Sequence, residues 1–254
     1  MMRSVNDWVG NILAFGVTIA VNSMATSIPL GGRTPREISD AYPSLFTPSG
    51  LTFSIWALIY LGLTLFVIYQ ALPAQRDNKL LAGISPLFKA NCLANAAWIL
   101  AWHYDFLALS VLIMVFILTT LVLIYRRLQD HRSTATGVER LAVHWPFRLY
   151  TGWICVALIA NVSSVQNAMG WDEVAMGAVT WTLLKLALAG TIAAAVLARK
   201  GDVIFAGVIA WAAYGIYLKQ AATPAVSGAA LSLCLLVVMI STLELIRQLR
   251  AGGS

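Results

Sequence analysis

The chain has 254 residues, of which 59% are apolar and only 11% charged, and its mean hydropathy is +0.78. A water-soluble domain carries about 25% charged residues, so this stock excludes a water-facing globule and specifies an integral membrane protein. The formal net charge of +6 is explained by basic loops on one side of a bilayer, and no nucleic-acid partner is implied.

The spans are helical. Leu107 to Ile124 is almost unbroken apolar sequence, whereas a transmembrane barrel strand would alternate apolar with polar residues. Hydropathy predicts eight transmembrane helices, at 6–28, 51–72, 86–104, 106–126, 147–169, 174–198, 202–219 and 226–246, which makes the fold class all-α. A first connection, Pro29 to Gly50, holds Gly31, Gly32, Pro35, Pro43 and Pro48 and is long enough to cover a pocket mouth. Only Trp102, His103, Tyr104 and Asp105 separate the third span from the fourth, which reads as a tight turn. A second long connection, Arg127 to Pro146, is basic and suited to anionic lipid headgroups.

Orientation follows from the basic residues. Counted over alternate connections, thirteen Lys and Arg fall on one side and three, Arg33, Arg36 and Lys219, on the other. The rich side is cytoplasmic, so both termini are expected inside, in a bacterial cytoplasmic membrane. An odd number of spans would scramble this separation.

A polar side chain in the bilayer core is costly unless it faces protein or a cavity, so shared faces are informative. Helical neighbours recur at offsets of three, four, seven and eleven. The first span offers Asn11, Thr18 and Asn22, and the second Phe53, Trp56, Tyr60 and Thr64. The third offers Asn91, Asn95, Trp98 and Trp102, and the fifth Tyr150, Trp153, Ala157 and Asn161, continued by Ser164. Two readings are open. The stripes are interhelical packing with amides bonding across helices, or they are aromatic walls with a few placed polar groups around a flat, amphipathic ligand. Trp8, Trp145 and Trp171, close to span ends, read as interfacial belt residues.

Lys185 lies roughly eleven residues from either end of the sixth span, too deep for easy snorkelling. It marks a second polar site, with pairing to an Asn or a backbone carbonyl as the equal alternative. Cys92, Cys155 and Cys234 sit in apolar stretches without a C-x-x-C pair and read as small buried hydrophobes. His103 and Asp105 read as turn residues rather than a proton-handling pair. No metal-ligand set, nucleotide-binding loop or nucleophile motif occurs, so no catalytic residue is named and no cofactor is required.

Three of these segments resemble one family. Pro48-Ser49-Gly50-Leu51-Thr52-Phe53, followed by Trp56-Ala57-Leu58-Ile59-Tyr60, resembles the PPxWxF…W…LY signature that opens the second helix of the tryptophan-rich sensory proteins, the TspO/MBR or translocator protein family. Leu93-Ala94-Asn95-Ala96-Ala97-Trp98 is similar to its LN-x-x-W segment, and Tyr150-x-x-Trp153-x-x-x-Ala157-x-x-x-Asn161 to its fifth-helix pattern. The resemblance extends to about residue 168. Leu51 stands where the family has a Trp, the stretch from Leu51 to Trp56 is one residue short, and the first-loop WY-x-x-L-x-K-P element has no counterpart.

The resemblance implies a five-helix ligand-binding bundle over residues 1–169, with 170–254 adding three transmembrane helices. The implied ligand is a tetrapyrrole, porphyrin or haem-like, or a cholesterol-like lipid. Phe53, Trp56, Tyr60, Asn95, Trp98, Tyr150, Trp153, Ala157 and Asn161 would line or shape its site. The expected function is binding, sensing or shuttling of that hydrophobic small molecule. A small-solute transporter using Lys185 is the alternative, and a membrane enzyme modifying its ligand a more remote one. Membrane lipids are expected partners, and a homodimer stays open.

Overall fold

The computed structural model describes residues 3–28, 32–171, 174 and 176–252; Pro29 and Gly31 of the first connection lie outside them. Among the described residues the regular structure is helical throughout: α1 Val5–Ser27, α2 Pro35–Ala41, α3 Ile55–Ala71, α4 Lys79–His103, α5 Leu107–Asp130, α6 Gly137–Glu139, α7 Trp145–Ala168, α8 Gly177–Lys200, α9 Val203–Lys219 and α10 Pro224–Gly252. A 3-10 turn, Gly50–Ser54, leads into α3, and a π-helical turn, Arg140–His144, joins α6 to α7. The eight long helices fall where hydropathy places them.

Among the described residues six helical segments are long and apolar enough to cross a membrane: Val5–Ser27, Gly50–Ala71, Leu107–Asp130, Gly137–Ala168, Gly177–Lys200 and Pro224–Ala251, with Val203–Lys219 a shorter apolar helix. In α4, Lys89, Asn91 and Asn95 dilute the apolar content. That helix instead buries Ser85, Asn91, Cys92, Asn95, Trp102 and His103 against protein, the condition under which polar residues are tolerated at membrane depth.

Several boundaries depart from hydropathy for local reasons. α4 starts at Lys79 instead of 86 because the Asn78 side chain accepts a hydrogen bond from Leu81 N at 3.1 Å, and Pro86 is carried inside the helix. The basic loop shrinks to residues 131–136: α5 runs on to Asp130, and Thr136 caps the next turn by accepting from Glu139 N at 3.2 Å. The first connection contains α2, opened by a Thr34/Glu37 pair in which Thr34 N donates to Glu37 Oε2 at 2.7 Å. Those Thr34 donors hold the Glu37 carboxyl below its ordinary range.

Two compact units divide the chain, residues 1–40 with 55–154, and 41–54 with 155–254. In the first, α1 lies along α4, fastened at three levels by polar groups. At one end Ser85 donates to Asn11 Oδ1 at 3.1 Å, while Arg3, just before α1, donates to Gln70 Oε1 of α3 at 2.7 Å. At mid-height Thr18 donates to Cys92 O at 2.9 Å, and beyond it Asn22 donates to Asn95 Oδ1 at 2.9 Å. The α4–α5 turn closes with Asp105 in the left-handed region, φ +56, which Asp tolerates better than most residues. Asp105 pairs with Arg33, while His103 Nδ1 donates to Ile99 O at 2.8 Å, so the two turn residues serve different partners.

In the second unit α9 packs on α8 and α10 through small residues. Ala206, Ala210, Ala212 and Ala213 are all buried, which lets backbones approach closely where lipid supplies no hydrophobic drive. The 41–54 segment lies on α9 at Gly215: Ser49 N donates to Gly215 O at 3.0 Å and Trp211 Nε1 donates to Thr52 O at 3.0 Å. A Cβ on Gly215 would stand 1.9 Å from Thr52 Oγ1 and 2.9 Å from Thr52 Cβ. Gly215→Ala must therefore push the segment off the helix, at a cost of about 1–3 kcal/mol for overpacking. Thermal unfolding should show Gly215→Ala clearly destabilised, whereas Gly207→Ala, where an added Cβ meets nothing within 4 Å, should melt close to the parent.

Candidate functional site

On α3, Trp56 and Tyr60 are one helical turn apart and stack with ring centroids 5.4 Å apart and planes 24° from parallel. On α7, Tyr150 and Trp153 meet the same indole edge-on. Trp56 lies 5.9 Å from Tyr150 at 65° and 6.2 Å from Trp153 at 84°. Edge-to-face contact matches the positive rim of one ring to the negative face of the next, so the four rings form one cross-braced cluster inside the first unit.

The cluster is fixed by an amide. Asn95 on α4 donates through Nδ2 to the Tyr150 hydroxyl at 2.9 Å and accepts through Oδ1 from Asn22 Nδ2 at 2.9 Å. Asn22 also donates to Thr18 O at 2.9 Å on its own helix. One side chain thus ties α1, α4 and α7 together. Asn95, Tyr150 and Trp153 are each 2% exposed, while Trp56 and Tyr60 are half-buried. The arrangement has a buried wall and an accessible platform, and Asn95 spends its hydrogen bonds on protein.

The other residues singled out from sequence have partners and surroundings of their own. Trp98 is half-buried and stacks on Trp102 at 5.8 Å and 15°, and Trp102 Nε1 donates to Pro35 O of α2 at 3.3 Å. Asn91 turns to α5 and donates to Thr120 Oγ1 at 2.9 Å and Ile117 O at 3.2 Å. Thr64 leaves its expected stripe: it is exposed and donates to Tyr60 O of its own helix at 2.8 Å. Phe53, in the 3-10 turn, and Ala157 and Asn161, in the later part of α7, belong to the second unit; Phe53 and Ala157 are half-buried and Asn161 is 3% exposed. Lys185 is half-buried on α8 beside the buried stripe of Thr182, Leu186 and Ala189. Among the described residues no group of three His, Cys, Asp or Glu could hold a metal ion.

Two features escaped the sequence reading. Asn22 was legible as part of a stripe but not as the partner of Asn95. In the second unit Trp211, Tyr214 and Tyr217 form an aromatic row along α9, with centroids 6.4 Å and 6.0 Å apart; their spacing of three was the available signal.

A family model described as TSPO-like protein matches residues 7–243. The chain belongs to the TSPO-like protein family. No curated protein and no solved structure gives a match. The TSPO-like match continues past residue 168, where the motif resemblance stops, and takes in α8, α9 and most of α10. With its apolar helices, it makes the chain an integral membrane protein.

If Asn95 couples α1 to α7, its energetic effect must be shared with Tyr150. A double-mutant cycle of Asn95→Ala and Tyr150→Phe, read by detergent-induced unfolding, should give a coupling of about 0.6 kcal/mol, the usual size for hydrogen bonds within membrane proteins. Strict additivity would show that the bond contributes nothing.

Proposed function

We propose that this TSPO-like protein binds a flat, hydrophobic ligand of the tetrapyrrole class, porphyrin or haem-like, against Trp56 and Tyr60, and senses or shuttles it within the membrane. The observation that carries the reading is the stacked, half-buried Trp56/Tyr60 pair braced from behind by Tyr150 and Trp153. A preformed aromatic surface needs no reordering when a planar ring lands on it, which lowers the entropic cost of binding. Tyr150 accepts from Asn95, which fixes its phenol behind the platform. Asn95 acts by holding that phenol in place.

Saturable quenching of tryptophan fluorescence by protoporphyrin IX tests the reading. An aromatic contact contributes about 1 kcal/mol beyond area burial, so Trp56→Leu should raise Kd about five-fold. Trp153→Leu should weaken binding by loosening the platform, and Trp171→Leu, exposed in the second unit, should leave Kd unchanged. Equal affinity in all three variants would move the site elsewhere, and no saturable quenching in the parent protein would remove tetrapyrroles as the ligand.

The same reading places both termini on the cytoplasmic face, supported by the thirteen-to-three distribution of basic residues. Reporter fusions at residue 1 and residue 254 should both report the cytoplasm; opposite faces would contradict it.

A further inference from the structure

The junction of α6 and α7 holds a group that ligand binding on Trp56 does not use. Here the helix widens into the π-helical turn Arg140–His144, an irregularity found frequently at functional sites. The turn packs against α3 beside Gly62, where an added Cβ would come within 3.1 Å of Pro146. His144 is 1% exposed, and neither Nδ1 nor Nε2 has a hydrogen-bond partner among the described residues. A buried imidazole with both nitrogens unmet carries a standing cost that an incoming partner would remove.

The surrounding charge says what that partner is. Among the described residues the charged groups that bear on His144 are Arg148, Arg132, Arg140 and His131, all basic. Arg148, one turn further along α7, is itself 9% exposed, while Arg140 is exposed and Arg132 half-buried. Arg140, His144 and Arg148 recur every four residues along the turn and α7; an imidazole N–H and guanidinium groups so spaced suit an oxyanion, and guanidinium forks match phosphate in particular. Depth indicates the source. The helical segment Gly137–Ala168 has 32 residues, about 48 Å at 1.5 Å per residue, against a hydrocarbon core of about 30 Å. The excess of about 18 Å is enough to carry its arginine-bearing end to the level of the headgroups.

We propose that His144, Arg140 and Arg148, with Arg132 at the rim, form a binding site for one phosphate group, supplied by the headgroup of an anionic phospholipid. The site is separate from the aromatic cluster, and it gives the π-helical turn a role beyond connection. Arg140 and Arg132 meet the phosphate first, Arg148 neutralises it from below, and His144 gains the partner that its ring nitrogens lack.

Native mass spectrometry of the detergent-purified full chain, titrated with phosphatidylglycerol, tests the proposal. One lipid should be retained with saturable affinity, weakened at least ten-fold in Arg140→Gln and in His144→Phe. Arg140 is exposed, so its variant keeps the result readable if His144→Phe fails to fold. Displacement of the lipid by millimolar inorganic phosphate would uphold the phosphate site and assign it to the free anion. Retention by Arg140→Gln with the parent's stoichiometry and affinity would overturn it, because the lipid would then be a nonspecific annular one.

Discussion

A bilayer core offers no water to a polar side chain, so each amide there must find its partner within the protein. Asn95 shows the consequence. Its two ends reach Asn22 and Tyr150, which fixes α1 on one side and α7 on the other, and the orientation of Tyr150 in turn sets the edge-on contact with Trp56. The aromatic platform depends on this chain of contacts. Dispersion among lipid-like side chains would hold helices together at many registers, whereas an amide that must be satisfied selects one.

The same requirement explains why polar residues concentrate on α1 and α4. Asn11, Thr18 and Asn22 face Ser85, Cys92 and Asn95 at successive levels, so the most polar face of each helix is hidden by the other. Leu112, Val115, Phe116 and Leu123 of α5 are left exposed, as a lipid-facing surface requires. The buried wall of Tyr150 and Trp153 and the accessible pair of Trp56 and Tyr60 divide the work: one fixes geometry, the other offers surface.

Much of this was legible in the sequence. Long apolar runs located the eight long helices, and offsets of three, four, seven and eleven picked out Trp56, Tyr60, Asn95, Tyr150 and Trp153, which the fold brings together. What periodicity could not supply was the neighbour. Asn91 and Asn95 share a stripe, yet Asn91 bonds to α5 while Asn95 bonds to α1 and α7, because a four-residue step already turns the side chain by about 40°. Thr64 extended the α3 stripe on paper but satisfies itself on its own helix, as hydroxyl side chains readily do. Hydropathy also missed the start of α4, where the Asn78 cap outweighs Pro86, and it carries no signal for a π-helical turn, whose extra residue is set by packing.

The central claim is that Asn95 holds an aromatic platform ready for a planar ligand. An experimental structure of the protein in lipid with protoporphyrin IX bound tests it most directly. The account predicts the macrocycle stacked on Trp56 and Tyr60, with Asn95 still bridging Asn22 and Tyr150. A macrocycle bound away from α3, or an Asn95 side chain that has left Tyr150 for the ligand, would contradict it.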